Sequence, residues 1–109
     1  MLEVLNGICI RVNEKIETDE RMREMAASKD RTIVLEFTDG GTYTIEIAKG
    51  KVLPPKEGAV ERPTLKVRTD IQTMTKIIEK KMSPLYAYAL KKIKVEGPLD
   101  EVMLLKDFF

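Results

Sequence analysis

The sequence contains no histidine, no tryptophan and a single cysteine, Cys9. Histidine is the commonest nitrogen ligand of zinc and titrates close to neutral pH, so its absence argues against a metal site and against ordinary acid–base catalysis. A lone cysteine cannot form an intramolecular disulfide, which favours a reducing compartment such as the cytoplasm. We therefore expect no catalytic residues, no metal and no cofactor.

The chain also lacks a dominant charge and long apolar runs. Lys and Arg number 19 against 18 Asp and Glu, giving a formal net charge of +1 over 109 residues. This balance argues against nucleic-acid binding, and no apolar run reaches the roughly 18 residues of a membrane helix. The N-terminus does not resemble a signal peptide. We expect one domain spanning residues 1–109, and the scarcity of Asn and Gln favours a thermophilic source.

The first 28 residues are predicted to form two helices. Apolar side chains recur every three or four positions from Leu2 to Ile16, which places them on one helical face. Thr18 is predicted to cap a second helix, with Asp19 and Glu20 as acids in its first turn, and this helix is predicted to end near Ser28.

From Arg31 the apolar period changes to two, which predicts strands. The turn Asp39-Gly40-Gly41 joins the first two strands in a hairpin, and a short third strand is stopped by Pro54-Pro55, so that residues 54–63 form a loop.

Two more strands are predicted at residues 65–68 and 92–96, separated by two helices that begin after the caps Asp70 and Ser83. This connection is long enough for a crossover, which favours a parallel arrangement of the two strands. Each long strand has one apolar and one charged face, which is typical of a sheet covered on one side.

The C-terminal segment predicts a helix with two apolar stripes. Gly97-Pro98 precede it, and Asp100 and Glu101 suit its N-terminal dipole. Leu104 and Phe108 lie nearly opposite the stripe that contains Leu99 and Met103. The second stripe therefore requires a partner, which can be a neighbouring helix, a ligand, another subunit or a membrane.

Three stretches of the sequence resemble the sterol carrier protein type 2 family. They are FTDGGTYTIEIAKGKV, PTLKVRTDIQTMTKIIEKKMSPLYAYALKKIKVEG and PLDEVMLL, which together cover about residues 31 to 105. The chain looks like a small stand-alone member of the prokaryotic type. The resemblance implies an α+β fold with a five-stranded, mostly antiparallel sheet ordered 3-2-1-4-5, helices on one face and an apolar tunnel between the two layers.

The resemblance also implies a non-catalytic carrier for a fatty acid, an acyl-coenzyme A, a phospholipid or a sterol-like lipid, which can meet a membrane surface transiently. The residues expected to line its pocket are apolar residues of the strands and of the helices that cover them: Phe37, Tyr43, Ile45, Leu65, Val67, Met74, Ile78, Met82, Tyr86, Ile93, Leu99 and Met103. Each is equally suited to an ordinary core, and methionine adapts to ligands of variable shape.

Two features leave alternatives open. The first is a set of lysines that either attracts lipid headgroups or a nucleotide phosphate, or forms a solvated face; it comprises Lys76, Lys80, Lys81, Lys91, Lys92 and Lys94. The second is the stripe of Leu104 and Phe108, which in the alternative function docks on a second copy or on an enzyme subunit without any bound lipid.

Overall fold

A computed structural model of the protein describes the backbone of residues 1–108 and the side chains of residues 1–103. The helices are α1 (Leu2–Thr18), α2 (Glu20–Ser28), α3 (Ile71–Ile78), α4 (Pro84–Ala89) and α5 (Leu99–Phe108). The strands are β1 (Arg31–Phe37), β2 (Thr42–Ala48), β3 (Lys51–Val52), β4 (Lys56–Glu57), β5 (Leu65–Thr69) and β6 (Lys94–Glu96). No helix in this part of the chain has the length and apolar character needed to cross a bilayer.

The six strands of the described residues form one sheet whose main path, β3-β2-β1-β5-β6, matches the predicted order once β5 and β6 are counted as the fourth and fifth strands. The predicted count of five is one short, because β4 also pairs with β2. The sheet is mixed rather than mostly antiparallel, because its central pair, β1 and β5, is parallel. The predicted parallel pairing of the last two strands is wrong. Val67 pairs with Val95 in an antiparallel ladder, since a long helical connection permits a crossover without requiring one.

One edge of the sheet is a single strand interrupted by prolines. β3 and β4 both pair with β2, where Ile47 lies opposite Val52 and Thr44 lies opposite Lys56. The register shifts by one residue between these two pairs, which is a β-bulge centred on Pro54-Pro55. The expectation of a loop from residue 54 is therefore wrong at Lys56–Glu57, because prolines on an edge interrupt a strand without ending the pairing.

The hydrophobic core lies between the sheet and the helices. The predicted apolar face of α1 is buried there from Leu5 to Ile16, whereas Leu2 at the start of the helix is exposed. On the opposite face of the sheet Glu36 forms ion pairs with Lys66 at 3.3 Å and Arg68 at 3.4 Å. The sheet therefore has one apolar and one charged face, as the alternation in the sequence predicts.

Side-chain caps fix the starts of two helices. The carboxylate of Asp19 accepts hydrogen bonds from the backbone N–H groups of Arg21 and Met22 at the start of α2. At α3, Asp70 accepts from the hydroxyl of Thr73 at 2.6 Å and from its backbone N–H at 3.0 Å. These bonds from Thr73 hold the pKa of Asp70 below its ordinary value. The predicted caps Asp70 and Ser83 are confirmed, whereas the predicted cap Thr18 is wrong, because Thr18 ends α1 and Asp19 caps α2.

A glycine sets the direction in which the chain enters α5. Gly97 has φ of +149°, which favours a residue without a Cβ. A Cβ at this position would lie 2.5 Å from Cδ2 of Leu65 and 2.8 Å from the carbonyl oxygen of Thr64. Only glycine allows the chain to pass β5 this closely before α5 begins.

A buried ion pair then attaches α5 to the sheet. Nε of Arg31 donates to Oε2 of Glu101 at 2.7 Å, and Lys29 also contacts this carboxylate. Glu101 is 2% exposed and Arg31 is 6% exposed. The guanidinium also donates to the carbonyl oxygen of Met25 at 2.8 Å, so the pair joins β1, the end of α2 and the start of α5. The sequence predicts for Glu101 only a favourable position at the helix dipole, because no local pattern links it to Arg31.

The pKa of Glu101 is lowered overall. Burial of the carboxylate acts to raise the pKa, but the hydrogen bonds and positive charges of Lys29 and Arg31 outweigh burial. Glu101 is therefore ionised in the folded protein at neutral pH, with its charge compensated.

We expect Glu101→Gln to destabilise the protein by roughly 3 kcal/mol, because it leaves the buried guanidinium of Arg31 without its counter-ion. Asp100→Asn is the matched control, since Asp100 is an exposed acid in the same helical turn. We expect that control to cost less than about 0.5 kcal/mol. Urea unfolding at neutral pH measures both, and equal effects of the two substitutions would show that the ion pair does not hold α5.

The same variant gives a pH dependence of known sign. Because folding lowers the pKa of Glu101, its stabilising contribution is complete above the ordinary value of about 4.3 and is lost as the pH falls through the folded-state value. The melting temperatures of wild type and Glu101→Gln should therefore converge as the pH is lowered from 7 to about 3. A constant difference over this range would contradict the assignment.

Candidate functional site

An apolar cavity of about 90 Å³ lies between the inner face of the sheet and the helices α1, α3, α4 and α5. Within the described residues its walls are hydrophobic throughout, and the only polar side-chain groups are the thiol of Cys9 and the hydroxyl of Tyr88. A cavity of this kind excludes ions and favours a hydrocarbon occupant.

The strands supply the floor of the cavity through their alternation. Ile33 and Leu35 of β1 point to the inner face, where Ile33 lies opposite Ile45 of β2 and Leu35 lies opposite Val67 of β5. Side chains directly opposite each other share a face of the sheet. Three adjacent strands therefore present one continuous aliphatic surface.

The helices supply the roof. Ile8, Cys9 and Val12 of α1 share one face and reach the cavity together, and Met74 reaches it from α3. Val102 of α5 also lines it, in the position next to the anchored Glu101. Burial raises the pKa of the Cys9 thiol to about 11, so the thiol is protonated and unreactive at neutral pH.

The cavity is open at α4. Leu85 and Tyr88 line it and are 47% and 48% exposed, so they lie at its mouth. Ser83 and Pro84 start this six-residue helix, in which only Ala87 is fully buried. A helix with so little buried surface has few contacts to resist its displacement.

The structure brings four of the predicted pocket residues to the cavity: Ile45, Val67, Met74 and Ile93. Phe37 and Leu65 lie in the core beside it, and the ring of Tyr43 packs edge-on against Phe37 with the centroids 6.0 Å apart. All seven of these residues belong to the apolar layer between the sheet and the helices. Contact with a ligand stays a prediction for each of them.

The other predicted residues lie further from the cavity. Ile78 and Met82 are half-buried, and Ile78 contributes to a smaller cleft of about 60 Å³ between α1 and α3. Tyr86, Leu99 and Met103 are exposed. Tyr86 points outward because the buried Ala87 and the mouth residue Tyr88 define the inner side of α4. The side chains of Leu104 and Phe108 lie outside the described residues.

Sequence reasoning missed the contributions of Leu85, Val102 and the α1 face to the cavity wall. The apolar face of α1 was predicted to be buried, but α1 lies outside residues 31–105, the part that resembles the family. Its residues were therefore not assigned to the pocket. The position of Val102 depends on the ion pair of Glu101, which no local pattern indicates. Arg31 and Glu101 are 70 positions apart in the sequence, so only information on that long-range contact could have predicted the position of Val102.

None of the six predicted lysines lines the cavity, and Lys76 of α3 is half-buried. Lys80, Lys81, Lys91, Lys92 and Lys94 are exposed. Their side chains provide no charge inside the pocket, so the cavity has no counter-ion for an anionic group. Among residues 1–103, no cluster of three or more acidic, Cys or His side chains is arranged to hold a metal ion.

Comparisons with solved structures identify the same fold. A domain of the stereoselective inverting sec-alkylsulfatase Pisa1 from Pseudomonas sp. matches 80% of this chain with a TM-score of 0.67 and 16% identity, while the chain covers only 14% of that enzyme. Palmitated SCP2L2 from Aedes aegypti matches 94% of this chain over 91% of its own length, with a TM-score of 0.64 and 16% identity.

The sterol carrier protein domain 2 of Helicoverpa armigera matches 97% of this chain over 80% of its own length, with a TM-score of 0.67 and 20% identity. No match is found among curated protein sequences. At these identities the structures share the fold alone.

The family model of the SCP-2 sterol transfer family matches residues 6–109. The match includes most of α1, which the sequence resemblance did not cover, as well as the strands and helices that enclose the cavity. The chain belongs to the SCP-2 sterol transfer family.

Proposed function

We propose that this protein binds a lipid with an acyl chain in the apolar cavity and carries it without transforming it. The observation that carries the proposal is the cavity itself, which is aliphatic on both the sheet side and the helix side and opens at one end. Burial of apolar surface stabilises such a ligand by roughly 25 cal/mol for each Å² removed from water.

The size of the cavity adds a condition. An engineered cavity of about 150 Å³ holds benzene, whereas the cavity here measures about 90 Å³ and cannot contain a long acyl chain as it stands. Binding therefore requires side chains at the mouth to move apart. Leu85 and Tyr88 are suited to this, because both are half exposed and belong to a helix with little buried surface.

The absence of a charged lining favours the placement of a ligand's polar head outside the cavity. A carboxylate or phosphate inside would lose its hydration without gaining a hydrogen-bonded partner, which is costly. The hydroxyl of Tyr88 at the mouth can contact such a head. The palmitated state of the related protein from Aedes aegypti supports an acyl ligand, and the family's description supports a transfer role.

We expect Val102→Phe to reduce the affinity for a fluorescent fatty acid at least about tenfold, because the added ring occupies the cavity from α5. Met103→Phe is the matched control, since Met103 is its exposed neighbour outside the cavity. Titration of the fatty acid and thermal melts measure binding and stability separately. Wild-type affinity in Val102→Phe would contradict the proposal that the ligand lies in this cavity.

Cys9 provides a second measurement, because it is the only cysteine and lines the cavity wall. We expect its reaction with a small neutral thiol reagent at about pH 8 to be slow, since the raised pKa leaves little thiolate. A saturating fatty acid should slow it further by at least about tenfold, because the ligand covers the thiol. Chain unfolded in guanidinium is the control, and a rate independent of fatty acid in the folded protein would oppose the proposal.

A second candidate function is an accessory module of a larger enzyme, and the matching domain in the alkylsulfatase favours it. The predicted interface residues are Leu104 and Phe108. Under the carrier proposal we expect wild type and Leu104→Glu to scatter light alike, as monomers of 12.4 kDa. A larger assembly that Leu104→Glu returns to this mass would favour the interaction module.

A further inference from the structure

We propose that β6 is the interface of a weak two-fold symmetric dimer, in which the strands Lys94–Glu96 of two copies pair antiparallel and join the two sheets into one. The proposal goes beyond the carrier function and does not depend on it. Three features of β6 support it: an open edge, side chains that complement a second copy of themselves, and charges that have no partner within the described chain.

The edge of β6 is open on the side that faces away from β5. β6 ends the sheet opposite β3 and β4, and it pairs only with β5, where Val95 lies opposite Val67. Within residues 1–103, no backbone-to-backbone hydrogen bond outside this ladder involves Lys94–Glu96. The N–H and C=O groups that point away from β5 are therefore available to a further strand.

The side chains of β6 suit an antiparallel copy of the same strand in one register. When the pair is centred on Val95, Lys94 of each copy lies opposite Glu96 of the other, and the two valines lie opposite each other. A pair centred on Lys94 or on Glu96 places like charges opposite each other, which is unfavourable. A shift of one residue places Val95 opposite a charged side chain, because residues directly opposite each other share a face.

The two charges of β6 have no ion-pair partner among residues 1–103. Lys94 lies opposite Arg68, which carries a like charge, and Glu96 lies opposite Lys66. Arg68 and Lys66 both form their ion pairs with Glu36 instead. A second copy supplies the opposite charge for both residues of β6. Exposed ion pairs contribute little energy, so their effect is to fix the register and direction of the pairing.

The same pairing brings the cavities of the two copies side by side. Val95 is half-buried, points to the inner face of the sheet and lines the cavity. In the dimer the Val95 side chains of the two copies meet on that face, and the apolar surface they bury stabilises the pairing. Each copy thus covers a residue of the other's cavity wall, and the aliphatic floor continues across the two-fold axis.

The interface is small, and the dimer is therefore weak. A strand of three residues is roughly 10 Å long, so the paired surface lies below the roughly 1,200 Å² that stable interfaces bury. We expect a monomer at the micromolar concentrations used for light scattering, and a dimer population that grows as the concentration approaches about 1 mM.

The test is small-angle X-ray scattering of the purified protein between about 0.05 and 1 mM, because the forward scattering gives the mean mass. Wild type should rise from 12.4 kDa toward twice that mass. Lys94→Glu creates an acidic edge and Glu96→Lys a basic edge, so that like charges meet when either variant pairs with itself. Each variant alone should associate at least about tenfold more weakly than wild type.

The two variants should rescue each other. In an equimolar mixture, the acidic edge of Lys94→Glu meets the basic edge of Glu96→Lys at both positions, so association should return to roughly the wild-type level. Variants that merely fail to fold cannot give this result, and thermal melts of each variant check the fold separately. Amide NMR shifts of wild type on dilution should change most at Lys94, Val95 and Glu96.

Matched controls lie on the other edge of the sheet. Lys51→Glu in β3 and Glu57→Lys in β4 reverse exposed charges of the same kind and should leave association unchanged.

The outcomes decide the proposal without reference to the carrier function. Concentration-dependent association that both β6 variants weaken and their mixture restores supports it. Wild type that stays monomeric at about 1 mM overturns it. Association that the β6 variants leave unchanged, that their mixture fails to restore, or that the controls weaken equally also overturns it, since another surface then holds the copies together. Loss of fatty-acid binding at micromolar protein would overturn the carrier proposal and leave the β6 interface standing.

Discussion

The buried ion pair between Arg31 and Glu101 determines how α5 lies against the sheet and thus how the cavity between the sheet and the helices is closed at that end. It joins the first residue of β1 to the first turn of α5, and through Met25 it also engages the end of α2. With Glu101 turned inward, Val102 reaches the cavity while Leu99 and Met103 remain exposed. The cavity wall at this end is thus positioned by electrostatics, whereas elsewhere it is positioned by apolar packing.

The layered fold could be predicted because each of its elements has a local signal. The period of two from Arg31 onward, the Asp39-Gly40-Gly41 turn and the caps Asp70 and Ser83 specify strands and helix starts within a few residues. The direction of β6 could not be predicted in this way, because the helical connection before it allows either orientation. The short strand β4 after Pro55 could not be predicted either, because it forms only through its pairing with β2.

The candidate site was predicted less well for a related reason. Strand alternation identified Ile45, Val67 and Ile93, since a residue on the inner face of a sheet stays there in any α+β arrangement. Helical positions depend on how each helix is rotated, and the rotations of α4 and α5 follow from Ala87 and Glu101. Tyr86 was therefore placed inward and Leu85 was overlooked, although both lie in the same helical turn.

The proline bulge on the β3–β4 edge also limits what this sheet can join. An edge strand offers unpaired N–H and C=O groups to any extended chain, and this is a common route to fibrils. Proline lacks an N–H donor, and because consecutive N–H groups of a strand point to opposite sides, the pair Pro54-Pro55 removes one donor from the open side of that edge. The shift in register between Val52 and Lys56 also bends the line that a partner strand would follow. A protein that exposes apolar surface around α4 thereby retains a sheet edge that is a poor template for aggregation.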